Sequence, residues 1–232
     1  RDPDWYLREA STLPPLPDRP GITSSFNRRA RDSYRYYSRT CLSRPLYPFY
    51  RSHRKGSVVI EGFGWLYKFT REKREAREAE QVMARLAGAP YFIFPLQLST
   101  DFQIREHSPF SDMEEAAEYV LYSFARCAPG HARLLIKEHP LEASFINWGA
   151  RIRRLARKLG VADRVLYIAG GDLLHLTAGS CGMVTVNSTS ATLALAAGIP
   201  TIALGKAIYN IPGVTHQGRL DDFWARGQAP DP

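Results

Sequence analysis

Three short polar groups in this chain hold residue types suited to group transfer: Gln97 with Asp101, then Lys137-Glu138-His139-Pro140, then Asn187-Ser188-Thr189-Ser190. The third opens a run rich in Ala and Leu. A helix start there would offer hydroxyls, unpaired backbone amides and the positive end of the dipole, which together bind phosphate, although any helix can use such residues as an ordinary cap. His139 followed by Pro140 is a donor held by a rigid turn, able to contact a phosphate or a leaving group. Asp101 has another character. Beside a phosphate site an idle carboxylate would repel the anion, so it must serve a sugar, a proton or an electrophilic carbon, as nucleophile or as base. Gly170-Gly171-Asp172 is too short for a dinucleotide fingerprint or a P-loop. Its two glycines would let the backbone approach a nucleobase or ribose.

Each group ends an apolar run: Tyr91 to Leu96, Leu134 to Ile136 and Met183 to Val186. Such runs read as buried parallel strands, and ligands of open α/β sheets sit outside the carboxyl ends of the strands. The three groups are therefore expected to share one crevice. From Tyr91 on, strands (91–97, 133–137, 164–168, 183–186, 201–204) alternate with helices (111–126, 146–159, 173–178, 189–197). Five strands with four crossovers predict an α/β, Rossmann-like doubly wound parallel sheet. Upstream, Pro14, Pro15, Pro17 and Pro20 mark an extended linker, 24–40 a helix, Ser57 to Ile60 a short strand, and Thr70 to Leu86 a charged exposed helix. The expected division lies between a basic portion, 1–85, and a Rossmann-like nucleotide-sugar-binding domain, 86–232.

The 232 residues are 44% hydrophobic and carry a net charge of +8, enough to bury a core and too apolar for disorder. The excess charge is local. Residues 1–85 hold 18 Lys and Arg against 10 Asp and Glu, whereas 86–232 hold 13 of each. Between Arg19 and Lys55 only Asp32 opposes the basic residues, and tyrosines are interleaved. Such a stretch suits phosphates of nucleic acid or anionic lipid, as well as a plain solvated face. No apolar run reaches the length of a membrane span, and Arg1-Asp2-Pro3-Asp4, without an initiating Met, has no signal-peptide pattern and reads as an internal start. Cys41, Cys127 and Cys181 lack metal-ligand spacing, so no metal is expected; they read as buried or half-buried thiols of a reducing cytoplasm.

The motifs taken together resemble a known family. Phe94-Pro95-Leu96-Gln97 through Arg105, Lys137-Glu138-His139-Pro140, Gly170-Gly171-Asp172-Leu173, Val186-Asn187-Ser188-Thr189 and Thr215-His216-Gln217-Gly218 with Phe223-Trp224 resemble the bacterial capsule polysaccharide β-Kdo transferases, most closely the single-domain type that builds the Kdo linker on the capsule's lipid anchor. The resemblance runs over about residues 90 to 224, and Arg1 to Tyr6 looks like a segment from the middle of such proteins. It implies a GT-B glycosyltransferase whose C-terminal Rossmann-like domain binds the donor CMP-Kdo, with no further cofactor and with retention at the anomeric carbon. The chain departs from the family by lacking nearly all of the N-terminal Rossmann domain, so 1–85 would be a largely helical remnant.

Carried over residue by residue, the resemblance puts the CMP phosphate on Ser188 and Thr189 with His139 beside it, and makes Asp101 the nucleophile of a double displacement, with general base as the rival role. Gln97 and Arg105 would orient the donor, Arg105 through the Kdo carboxylate; Lys137, Pro140, Gly170, Gly171, Asp172 and Asn187 would line the site, and His216 would approach from the last loop. The implied partners are CMP-Kdo, a phosphatidylglycerol-type lipid acceptor, the anionic surface of the bacterial inner membrane on its cytoplasmic side, and capsule assembly proteins, with no nucleic acid. Two other readings compete. One is a different CMP-sugar GT-B reaction such as sialyl transfer, or sugar epimerisation. The other is a non-enzymatic module that binds anionic membrane or nucleic acid through its basic third.

Overall fold

Strand segments that are apolar along their whole length cannot face water on either side, and each one here is covered on both. In the computed structural model, which describes residues 26–43, 45–47, 58–86, 88–98, 101–142 and 146–231 with part of the side chains in the first two helices, five parallel strands form one sheet. They are β1 (Tyr91–Pro95), β2 (Arg133–Lys137), β3 (Val165–Ile168), β4 (Gly182–Thr185) and β5 (Thr201–Ala203), in the spatial order β3-β2-β1-β4-β5. The expected doubly wound α/β sheet is what forms. Register runs Tyr91↔Arg133 to Pro95↔Lys137, Leu134↔Val165 to Lys137↔Ile168, and Met183↔Thr201 to Thr185↔Ala203.

Between β1 and β4 the strand order reverses, and there pairing is short: Phe92↔Gly182 and Ile93↔Met183. Pro95 belongs to the reason. Leu96 donates its N–H to the Lys137 carbonyl on the β2 side at 2.8 Å. Successive N–H groups of a strand point to opposite sides, so the donor that Pro95 lacks would have faced β4, where pairing has already stopped.

The helices are α1 (Phe26–Leu42), α2 (Val58–Leu86), α3 (Phe102–His107), α4 (Met113–Cys127), α5 (Trp148–Lys158), α6 (Leu173–Ala178), α7 (Ala191–Ala196) and α8 (Leu220–Arg226). Alternate residues of β1 divide the core. Phe92 and Phe94 join Leu134, Ile136, Val120, Phe124, Trp148, Ile152, Phe223 and Trp224 under α4, α5 and α8. Tyr91 and Ile93 join Leu135, Leu166, Ile168, Met183, Ala79, Leu86 and Leu176 under α2, α6 and α7. This period of two is what a sheet packed on both faces requires.

Three expectations are corrected. Val58 to Ile60 begins the 29-residue α2 and not a strand; a short β-branched run fits either state, and the helix signal that follows, with ion pairs Arg71–Glu75 and Arg74–Glu78, carries back through it. Consequently the boundary of the compact units falls between residues 50 and 51, not at 85, because α2 packs on the sheet while α1 belongs to the other unit. Cys181 is exposed, whereas Cys127 is half-buried, and both are free. Residues 14–20 lie outside the described residues. Two helices, α3 and α8, were not foreseen.

Candidate functional site

Asp101 is placed by the start of α3. Its Oδ1 accepts the Gln103 N–H at 2.9 Å, the usual bond of an aspartate cap, while Oδ2 accepts from Gln97 Nε2 at 3.1 Å. Gln97 itself is 4% exposed and clamped across the strand reversal. Its Nε2 also donates to Asn187 Oδ1 at 2.9 Å, and its Oε1 accepts the Asn187 N–H at 3.1 Å. Asn187 Nδ2 in turn donates to the carbonyls of Gln103 (2.9 Å) and His107 (3.4 Å). The ends of β1 and β4, with α3 between them, are thus tied by amide bonds whose outcome is one orientation of one carboxylate. Both N–H bonds of the Gln97 amide are used within the protein, one of them on Asp101, which it thereby orients.

On the other flank, Lys137 ends β2 and is 4% exposed, its Nζ donating to the Glu138 carbonyl at 3.2 Å. His139 Nδ1 accepts the Leu141 N–H at 3.1 Å, so the neutral ring carries its proton on Nε2. Pro140 is exposed at that turn. Tyr167, opposite on β3, donates its hydroxyl to the Glu138 carboxylate. Burial, and next the neighbouring Glu138 charge, push the Tyr167 phenol far above its ordinary range. It therefore keeps its proton and serves as a hydrogen-bond donor to Glu138.

After β4, Ser188 Oγ accepts the Ser190 N–H at 3.2 Å and lies 2.9 Å from Ser190 Oγ, while the Ser188 N–H donates to Thr185 Oγ1 at 3.2 Å. Tyr209, whose phenol burial pushes up to about 12, donates to the Ser188 carbonyl at 2.5 Å. The turn is therefore held from below, and Thr189 is exposed at its tip. Arg105 is exposed on α3, its guanidinium 5.6 Å from the centre of the Phe102 ring. The oriented carboxylate thus stands at the strand reversal, the place where doubly wound sheets hold ligands, and the Lys137-His139 and Ser188-Thr189 groups follow the neighbouring strands β2 and β4 at the same end of the sheet.

Other expectations do not survive. His216 is 8% exposed but stands at the amino end of β5, its N–H on the Thr201 carbonyl at 2.8 Å and its ring 5.5 Å from Phe223. It is not brought to the crevice. The glycines after β3 serve the fold: a Cβ on Gly170 would lie 2.9 Å from the Glu75 carbonyl of α2, and Gly171 has φ +87°. Asp172 caps α6 through the Leu174 N–H at 3.1 Å. That cluster is explained without a nucleotide.

Sequence reasoning gave Glu138 no role of its own within its group and missed Tyr167, Tyr209 and Gly205. A Cβ on Gly205 would lie 2.8 Å from the His107 carbonyl, so the glycine lets the loop after β5 close against α3. A glycine directly after a short strand was the available signal; the tyrosines carried none, since their partners are remote in sequence. Among the described residues no three His, Cys, Asp or Glu side chains gather as metal ligands, and no helix is long and apolar enough to cross a membrane.

Comparison with known proteins agrees with these motifs. The Escherichia coli capsule polysaccharide export protein KpsS is 32% identical over 100% of this chain and 60% of its own length. The capsule polysaccharide modification protein LipB of Neisseria meningitidis serogroup A is 32% identical over 90% of this chain and 51% of its own. The chain thus spans between half and three-fifths of the length of these relatives. The solved KpsC of Thermosulfurimonas dismutans, a beta Kdo 2,7 transferase, superposes with a TM-score of 0.42 at 17% identity over 78% of this chain and 50% of that one. The family described as capsule polysaccharide biosynthesis protein matches residues 1–232, and to that family this chain belongs.

Proposed function

We propose that this chain carries the donor site of a retaining β-Kdo transferase of GT-B architecture that uses CMP-Kdo to build the Kdo linker on a capsule lipid anchor. The observation that carries the reading is the Gln97–Asn187 clamp, which orients Asp101 at the strand reversal; Lys137 and His139 follow β2 and the Ser188-Thr189 turn follows β4, the two strands that flank β1. In the first displacement an Asp101 oxygen bonds to the anomeric carbon as the bond from that carbon to the CMP phosphate oxygen breaks, and CMP departs with the electron pair. In the second, the acceptor oxygen bonds to the same carbon, the bond to Asp101 breaks, and the acceptor's proton passes to a base. Two inversions give retention. The hydroxyls of Ser188 and Thr189 and the Nε2–H of His139 bind the leaving phosphate, and Arg105 takes the Kdo carboxylate.

The lipid acceptor calls for a membrane-facing surface. On α1, Arg28, Arg31, Arg35 and Arg39 recur at helical spacing, all exposed. They form the described part of the basic stretch and fit anionic headgroups on the cytoplasmic side of the inner membrane. Calorimetry tests the donor site: CMP should bind the chain at millimolar or better affinity, and Ser188→Ala should weaken it. Absence of CMP binding would remove the reading.

A further inference from the structure

Helix α5 carries a second basic surface, on the sheet-bearing unit. Its sequence, Trp-Gly-Ala-Arg-Ile-Arg-Arg-Leu-Ala-Arg-Lys, buries Trp148, Gly149, Ile152 and Ala156 and turns five cations outward or sideways, with no acidic residue in the helix. Arg151 and Arg154, Arg154 and Arg157, Arg153 and Arg157, and Arg154 and Lys158 are like-charge neighbours three or four residues apart, an arrangement that destabilises a helix. Local causes account for part of it. Arg151 pairs with Glu114 of α4, and Arg157 and Lys158 lie in the last turn, where the dipole favours cations. Arg153 and Arg154 have neither explanation: both are exposed, and neither forms an ion pair among the described residues.

An ordinary solvated face looks different, as α2 shows: its arginines alternate with glutamates and pair with them at i,i+4. On α5 the cations instead line an open groove of about 560 Å³ made by Ile146, Asn147, Ala150, Arg151, Arg154 and Arg157. Its charges are all positive and its remaining wall is Ile146, Asn147 and Ala150. The helix follows β2, so Ile146 and Asn147 stand at the end of the sheet where the crevice lies.

We propose that the α5 face docks on anionic phospholipid, as a membrane contact separate from α1. The charge pattern selects the occupant: Arg154 and Arg157, which no acidic side chain pairs among the described residues, beside Ile146 and Ala150 complement a plane of phosphate headgroups over acyl chain, and such cations are attracted to it within a Debye length. The inference does not depend on the sugar donor or on catalysis.

Vesicle flotation of the full chain tests it, using phosphatidylcholine alone and phosphatidylcholine with a minority of phosphatidylglycerol. R153Q/R154Q/R157Q should weaken partition onto the anionic vesicles on the order of a hundredfold, with its melting temperature kept or raised because like-charge neighbours are removed. R74Q/R77Q/R85Q, which removes the same charge from α2, should change partition by less than about threefold, and R153K/R154K/R157K should keep it. Equal losses in the α5 and α2 variants would make net charge the cause and overturn the proposal. So would unchanged flotation of the α5 variant, or equal binding to neutral vesicles. If the α5 variant floats like the parent but loses affinity for soluble polyphosphate, the groove belongs to a soluble polyanion and the membrane assignment falls.

Discussion

Asp101 spends both carboxylate oxygens on the protein, Oδ1 on the Gln103 N–H and Oδ2 on Gln97, yet each oxygen keeps a second lone-pair site. Two bonds therefore orient the carboxylate without consuming it. Removing the carboxylate and removing its support should differ. Asp101→Asn is expected to abolish transfer while leaving CMP affinity within a few fold, since the lost interaction belongs to the transition state. Under the proposed double displacement, mass spectrometry of the protein with CMP-Kdo and no acceptor should find a Kdo adduct on the Asp101 peptide; transfer by an Asp101→Ala variant would refute the role. Asn187→Ala is a positioning change: Gln97 Nε2 would lose its side-chain partner Asn187 Oδ1, and α3 the two bonds from Asn187 Nδ2, while the backbone N–H at 187 still reaches Gln97 Oε1, so the carboxylate would sample other orientations. The expected result is a fall in kcat of roughly 10²-fold, as for a misplaced catalytic group, with KM for the donor little altered. A rise in KM at constant kcat would show that Asn187 binds the donor instead.

At the scale of elements, α8 is fastened to α4 by a polar chain inside an aromatic cluster. Trp224 Nε1 donates to Ser123 Oγ at 2.8 Å, Ser123 donates to Asp221 Oδ1 at 2.6 Å, and Arg126 reaches Asp221 Oδ2 at 3.1 Å. The Ser123 bond above all, with Arg126 and Arg219 adding their charge, holds the Asp221 carboxyl below its ordinary 3.8. A depressed folded value means stability that is present above pH 4 and is lost as pH falls through the lower folded value. Asp221→Asn should therefore cost about 1 kcal/mol at neutral pH, and the gap to the parent should close toward pH 2. A gap independent of pH in thermal melts would mean that the charge is irrelevant. The same scale explains what the sequence made legible. Strands buried on both faces leave an unbroken apolar signature, so all five were readable. In contrast, α3 is six residues set by one aspartate cap, α8 is held by contacts about a hundred residues away, and the start of α2 looks β-branched because its neighbours in space, not its own pattern, make it helical. The crevice groups were legible because polar residues directly after apolar strands have few structural reasons to be there. His216 was read as a ligand for the converse reason: a ring buried at the amino end of a strand looks the same in sequence as one that faces a crevice.

For the whole molecule, charge and chemistry are carried by different segments, as the excess of +8 in residues 1–85 and the balance in 86–232 require. Anionic lipid should respond to the first, with the α5 face adding its own contact, and CMP to the second alone. Neutralising Arg28, Arg31, Arg35 and Arg39 removes four surface cations worth roughly 1 kcal/mol each at an anionic bilayer. Partition onto phosphatidylglycerol-containing vesicles should fall steeply and lose the share of its salt dependence that α1 carries, leaving that of α5, whereas neutral vesicles should show no change; equal binding to both lipids would reduce the stretch to a solvated face. CMP, in contrast, should stabilise the fold by binding only its native state. At a hundredfold excess over its dissociation constant that gain is about 2.7 kcal/mol, which for a chain of this size raises the melting temperature by roughly 5 to 10 °C. The shift should survive both the α1 substitutions and Asp101→Asn, and shrink in Ser188→Ala, because only the last touches the phosphate turn between β4 and α7. A CMP shift abolished by the α1 substitutions would place the nucleotide on the basic stretch and move the donor site out of the crevice.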